Sequence, residues 1–222
     1  KSAWRPVPLG DAQVLSLRFQ TNGTYYTAAS VSFMEPWLFG KKPTSFSLSG
    51  YYTRQTNSYY FYQNPDEYFE VYGVAASLGN RLKWPDNYFV LYHELSWQAY
   101  NLHDWGYNFL FSTGQSNNFS YKVTLARNST DQQVFPRQGS DFTFSVQLTP
   151  PYSLFRDPNT NYQSMTDQER YRWIEYHKWT FKGALYTKIV GDLVLMARAQ
   201  FGYLGSYNKK WGYSPFEGYQ VG

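Results

Sequence analysis

Cysteine is absent from this 222-residue chain, which removes disulfide scaffolds and thiolate metal sites and leaves the compartment open. Isoleucine is nearly absent too, with Ile174 and Ile189 alone, whereas an ordinary soluble core leans on Ile, Leu and Val. No apolar run approaches the ~18–20 residues that a membrane-spanning helix needs, so helical spanning is excluded. Charge of one sign is also scarce. The net charge is +4, and the densest basic groups are the pairs Lys41-Lys42 and Lys209-Lys210. These read as solvated turns, not as the basic stripe that nucleic-acid binding requires. Nothing signal-like follows Lys1, as expected of a processed chain or a piece of a longer one.

Aromatic side chains are abundant instead: 23 Tyr, 17 Phe and 8 Trp in a chain whose mean hydropathy is −0.59. Tyr and Trp join an apolar body to a polar tip, which suits them to the headgroup level at a membrane edge. The arrangement of the apolar residues points the same way. Phe142, Phe144, Val146 and Leu148 alternate with Thr143, Ser145, Gln147 and Thr149, and alternate side chains of a strand lie on opposite faces. The pattern recurs. Leu15, Leu17 and Phe19 are set against Ser16, Arg18 and Gln20; Phe119, Tyr121, Val123 and Leu125 against Ser120, Lys122 and Thr124. Nine strands are expected, near 12–21, 24–34, 45–56, 70–80, 88–101, 117–128, 140–149, 173–188 and 192–204. Large apolar residues on one face and small polar ones on the other describe a barrel wall between lipid and a wet lumen.

The connections sort into two classes. Those around Phe39–Pro43, Lys83–Asn87 and Val190–Asp192 are short and rich in turn residues. Those near 57–69, 103–116, 150–172 and 205–222 are long, and Thr21-Asn22-Gly23-Thr24 is the one compact member of their class. Outer-membrane barrels carry short periplasmic turns and longer outside loops. Gly40, Asn87, Phe135 and Gly191 are therefore expected at the periplasmic end, and Tyr60, Asp104, Asn159 and Tyr207 outside. Nine strands would leave two exposed edges, where single-chain bacterial barrels close with even numbers. The fold class expected is all-β: a membrane-spanning antiparallel segment of a larger barrel.

Two stretches go beyond generic pattern. Glu35-Pro36-Trp37 ends a strand, where the missing N–H of Pro36 is tolerated. Phe135-Pro136-Arg137-Gln138-Gly139 shapes a turn in which Gly139 is free to take positive φ. With these residues the chain resembles the BamA superfamily of outer-membrane assembly proteins, its BamA branch above all. Order, spacing and loop lengths resemble the third to eleventh strands of a sixteen-stranded barrel. The resemblance implies a protein that folds and inserts β-barrel proteins into the bacterial outer membrane. It further implies membrane lipids, unfolded outer-membrane proteins and the accessory lipoproteins of the BAM complex as partners. The family's periplasmic POTRA domains, its lateral seam and the Arg-Gly-aromatic motif of its sixth outside loop have no counterpart here. Only Glu35, Pro36, Trp37, Phe135, Pro136 and Gly139 carry over, as structural signatures.

No catalytic, metal or cofactor site is expected. His93, His103 and His177 are scattered, and His103-Asp104 lacks a positioned nucleophile. His93 shares a face with Leu91, Leu95 and Trp97, which places it toward lipid near an interface or puts the register in question. Arg18, Glu94, Lys122, Lys182 and Arg198, with Arg54 less clearly, fall on polar strand faces. They read as wetted lumen charges, or as a network shaping the interior. The three Asn-x-Ser/Thr triplets are chance in an Asn-rich chain. The aromatic runs Tyr59-Tyr60-Phe61-Tyr62 and Tyr68-Phe69 read as interface belt or as partner contacts. The competing functions are a porin or secretion pore, and a soluble β-sandwich stacking its aromatics on sugars.

Overall fold

The computed structural model describes residues 12–38, 44–59, 62–106, 111–155, 164–208, 210, 212–214 and 216–219. Gly40, Lys41, Lys42, Tyr60, Phe61, Asn159 and Lys209 lie outside them. Nine antiparallel strands follow one another in a single meander: β1 (Val14–Asn22), β2 (Tyr26–Glu35), β3 (Thr44–Tyr59), β4 (Tyr62–Arg81), β5 (Phe89–His103), β6 (Gly114–Asn128), β7 (Gly139–Leu148), β8 (His177–Val190) and β9 (Leu193–Gly205). The sheet order is β1 to β9, and its two edges are β1 and β9.

Register converts the alternation of each strand into two continuous faces, because directly paired residues share a side. Leu17 pairs with Val31 and Val31 with Gly50. Val74 pairs with Trp97, and Trp97 with Phe119. This is the outward face, and Leu17, Phe19, Val74, Leu95 and Phe201 stand exposed on it. On the opposite face Ser47 pairs with Ser77, Ser77 with Glu94, Glu94 with Lys122, Lys122 with Gln147 and Gln147 with Lys178. A one-residue slip anywhere would carry polar groups to lipid, so the pattern pins the register.

About 9–11 residues suffice for a tilted strand to cross a bilayer. β3 has 16 residues and β4 has 20, so both continue past the membrane at the loop end. The expected long loop at 57–69 is therefore corrected: most of it is a hairpin extension. Tyr59 pairs with Tyr62, and the register shifts between Thr56 and Asn57. Hydrogen bonding explains why composition misled, since Asn57 and Asn64 both donate to the Glu67 carboxylate. The polar residues tie the extension together. The expected strand start at 173 is also corrected, as β8 begins at His177. Arg172 and Ile174 instead bond the backbone of Asn117, replacing β7 beside the outer half of β6. The connection between β7 and β8 further holds a 3₁₀ turn at Tyr152–Phe155 and the short helix α1 (Asp167–Arg170), with a capping box from Thr166 and Glu169.

A barrel wall has no central core. The buried apolar residues Leu102, Trp105, Tyr171, Ile174 and Tyr176 gather instead at the loop end.

Candidate functional site in the lumen

The inner face of β6 is floored by small residues, Ser116, Asn118 and Ser120, all essentially buried. A wet lumen would leave them open; here the chain lies over them. Tyr176 reaches in from the residue before β8, held by paired bonds between Thr149 and Tyr176. Residues 212–214 and 216–219, beyond β9, return along the same face. The Glu217 carboxylate accepts from Lys178 Nζ at 2.9 Å, from the Tyr176 hydroxyl at 3.1 Å and from Asn118 Nδ2 at 3.4 Å. Lys178 also donates to the Gly218 carbonyl at 3.2 Å and lies over the Tyr219 ring. Gln147 bridges Ser120 and the Tyr176 hydroxyl. One acidic side chain thus ties β6, β8 and the returning segment together.

Two further contacts seat that segment. The Tyr219 hydroxyl reaches Thr180 and the Trp179 carbonyl, and its ring lies against Gly202, where a Cβ would sit 2.7 Å away. Phe216 stacks on Tyr100 at 4.7 Å between ring centres and meets Phe111 edge-on. Aromatic pairs of this kind add about 0.5–1.5 kcal/mol beyond their buried area.

The structure places Arg18, Glu94, Lys122, Lys182 and Arg198 on this inner face. Arg18 donates to Gln20, and the Gln200 amide oxygen accepts from Arg198. Among the described residues none of the five forms an ion pair, and the cluster that seats the returning segment on the inner face is built on Lys178 and Glu217 instead. Sequence reasoning missed both, because Lys178 falls within the strand alternation with no visible partner and Glu217 in a stretch with no periodicity.

Arg54 requires correction. Its partners Thr27 and Glu70 belong to the outward face, with Arg54 3.5 Å from the Glu70 carboxylate. Glu70 is 7% exposed and accepts from the hydroxyls of Tyr52 and Tyr72, each at 3.0 Å. At the loop end an outward carboxylate is tolerated because tyrosine tips and a guanidinium satisfy it. His93 does face outward, and the register stands: its Nδ1 meets the Tyr121 hydroxyl at 2.6 Å. His103 and Asp104 are loop groups, with His103 stacked on Tyr68 and bonded to the Asp66 carbonyl.

At the turn end, Glu35 closes β2 and accepts from the Trp37 N–H at 3.0 Å and from the Gln13 side chain. Pro36 and Trp37 occupy the turn that follows. Between β6 and β7, Arg127 pairs with Asp86 at 2.9 Å and bonds Ser129 and Ser140. The Arg137 and Gln138 N–H groups hold the Asp131 carboxyl below its usual range, outweighing its desolvation. A depressed carboxyl contributes stability above its unfolded pKa and loses it as pH falls through the folded value, so this turn is braced at neutral pH and released in acid. Phe135, followed by Pro136, is 87% exposed at φ +56, while Gly139 sits at φ +109.

Gly139 yields a direct test. A Cβ there would lie well inside contact with the Ser129 carbonyl, whereas at Gly191, φ +58, the space is open. Left-handed backbone costs a residue with a Cβ about 1–2 kcal/mol. Gly191→Ala should lose that much stability, and Gly139→Ala clearly more, in urea unfolding from lipid vesicles. Equal losses would remove the close approach as the reason for glycine.

Comparison with known proteins agrees with this geometry. No curated protein sequence matches the chain. Among solved structures, BamA from Haemophilus ducreyi lacking POTRA domains 1–3 superposes with a TM-score of 0.63 at 18% identity. The match covers 94% of this chain and 38% of that one, so the chain spans well under half of the protein it resembles. The Omp85 superfamily domain matches residues 8–222. With nine antiparallel strands in one meander and a family match over nearly its whole length, the chain belongs to the Omp85 superfamily.

Proposed function

We propose that this chain forms the wall of an outer-membrane assembly factor that folds and inserts β-barrel proteins. One observation carries the reading: the inner face at the loop end is covered by the segment around Glu217. A porin needs that space open for solute, whereas an insertase needs a wall whose interior stays shut while strands are exchanged elsewhere. Insertion of this kind makes and breaks no covalent bond. Its driving force is strand addition, because an unpaired edge presents N–H and C=O groups that an incoming strand satisfies. In hydrocarbon each such group left unsatisfied costs several kcal/mol, which favours completion of the client sheet.

The partners are then outer-membrane lipids against the outward face, unfolded outer-membrane proteins as clients, and accessory lipoproteins of the BAM type. Depletion of the protein in its host should reduce heat-modifiable forms of unrelated outer-membrane barrels while their precursors accumulate in the periplasm. Normal barrel levels on depletion, together with steady ion conductance of the purified protein in planar bilayers, would instead establish a pore.

A further inference from the structure

Glycine inside a strand lacks a side chain to pack and weakens the sheet, so its presence calls for a reason. Gly73, Gly79, Gly183, Gly202 and Gly205 have one each. At every one of them a Cβ would meet a ring at 3.0 Å or less, from Tyr51, Tyr92, Phe181, Tyr219 and His177 respectively. Gly50 differs. A Cβ there would make only ordinary contacts, 3.7 Å from Val31 and 3.8 Å from the Gly73 carbonyl. Its φ is not in the left-handed region, and among the described residues nothing else occupies the space.

That space is a groove. Gly50 and Ala29 floor it, and Leu17, Phe19, Val31 and Tyr52 border it, a shallow open hollow of about 530 Å³. All six belong to the outward face by register. In a membrane-spanning wall this face meets hydrocarbon, and a groove left empty forfeits dispersion contacts along its lining. The next outward position beyond Gly50 along β3 is Tyr52, and the one after it is Arg54. Gly50 and Arg54 are thus about 13 Å apart along the strand. Arg54 leans over the Tyr68 ring and engages Glu70 and the Pro65 carbonyl, yet its side chain remains 38% exposed. A guanidinium has five donors, and such a fork matches a phosphate.

We propose that the Ala29–Gly50 groove seats one acyl chain of a phosphorylated outer-leaflet lipid, with its phosphate at Arg54. The apolar channel takes the chain, and the cation stands at its loop end, the outside by loop length. Gly50 keeps open a space that any larger side chain would fill. The site holds a particular lipid in place, unlike the remaining outward wall, which lipid merely wets.

The test uses protein purified from outer membranes in mild detergent and then exposed to micelles of lipid A or of its dephosphorylated form. Native mass spectrometry counts the lipids retained. Wild type should hold one phosphorylated lipid in preference to the dephosphorylated form. Ala29→Leu with Gly50→Val fills the groove and should lower retention about tenfold, as expected when one or two buried methylenes lose their contacts. Arg54→Gln should erase the preference for phosphate. Ala76→Leu, on the outward face between Leu48 and Leu95, should change nothing. Should the double variant lose heat-modifiable migration, Gly50→Val alone serves, because its Cβ space is open. Wild-type retention in the filled variant, or an equal loss in Ala76→Leu, would overturn the proposal. The readout involves no client insertion and so stands apart from the assembly reading.

Discussion

An arginine at position 144 should destabilise the wall by about 2–4 kcal/mol if it lies near the bilayer midplane, and an arginine at 145 should cost much less. Phe144 stands between Leu125 and Phe181 on the outward face, and its ring meets Trp179 at 6.2 Å. Phe144→Arg would put a guanidinium into hydrocarbon with no partner nearby. Ser145 lies between Thr124 and Thr180 on the inner face, where a long polar side chain finds water and hydroxyls. Urea unfolding of the two variants from lipid vesicles measures the difference directly. Equal losses, or a larger loss at 145, would mean that the faces of β7 are reversed.

Faces were the most legible property of this chain. A period of two needs only the local sequence, and each strand repeats it independently, so one misread strand would conflict with both neighbours. Strand length was less legible. The extension of β3 and β4 beyond the membrane runs through Asn57, Asn64, Pro65, Asp66 and Glu67, residues that locally favour turns. What holds them extended is bonding to Glu67, from Asn57 across the hairpin and from Asn64 on the same strand, and the ladder from Tyr59 to Tyr62. Arg54 failed for a related reason. A charged residue on a strand reads as lumenal, but its true partner, Glu70, is 16 residues away and becomes visible only when β3 and β4 pair.

The lumenal closure was the least legible part. Tyr176 and Lys178 stand two residues apart at the start of β8, but Glu217 comes from a distant stretch with no repeat that would announce it. Gly202 lies on the inner face of β9 opposite Thr180, and its purpose depends on Tyr219 lying against it. The scattered charges that did stand out, Arg18, Glu94, Lys122, Lys182 and Arg198, line the wall without closing it. A contact made by a segment folding back has no periodicity, because the lengths and turns between its partners are unconstrained by the strands.

Loss of Glu217 should have the largest effect on that closure. Its carboxylate takes bonds from Lys178, Tyr176 and Asn118, and hydrogen bonds to a charged group contribute about 1.5–3 kcal/mol each. Glu217→Ala leaves the Lys178 ammonium facing Tyr176 and Asn118 without its counter-charge. Since 1.4 kcal/mol is a factor of ten, the unseated population of the segment should rise roughly ten- to a hundredfold. Gly202→Val attacks the same seat from the other side, because the new Cβ would occupy the place of the Tyr219 ring. Both variants should raise single-channel conductance in planar bilayers and speed proteolysis near Gly212–Tyr219. Lys182→Gln should do neither, as Lys182 bonds no described residue of the returning segment. A cycle with Lys178→Met separates the ion pair from a general loss of packing: the double variant should lose little more than Glu217→Ala alone. Wild-type conductance and protection in both Glu217→Ala and Gly202→Val would show that the seat does not close the lumen. That result would also take away the observation favouring an assembly factor over a pore.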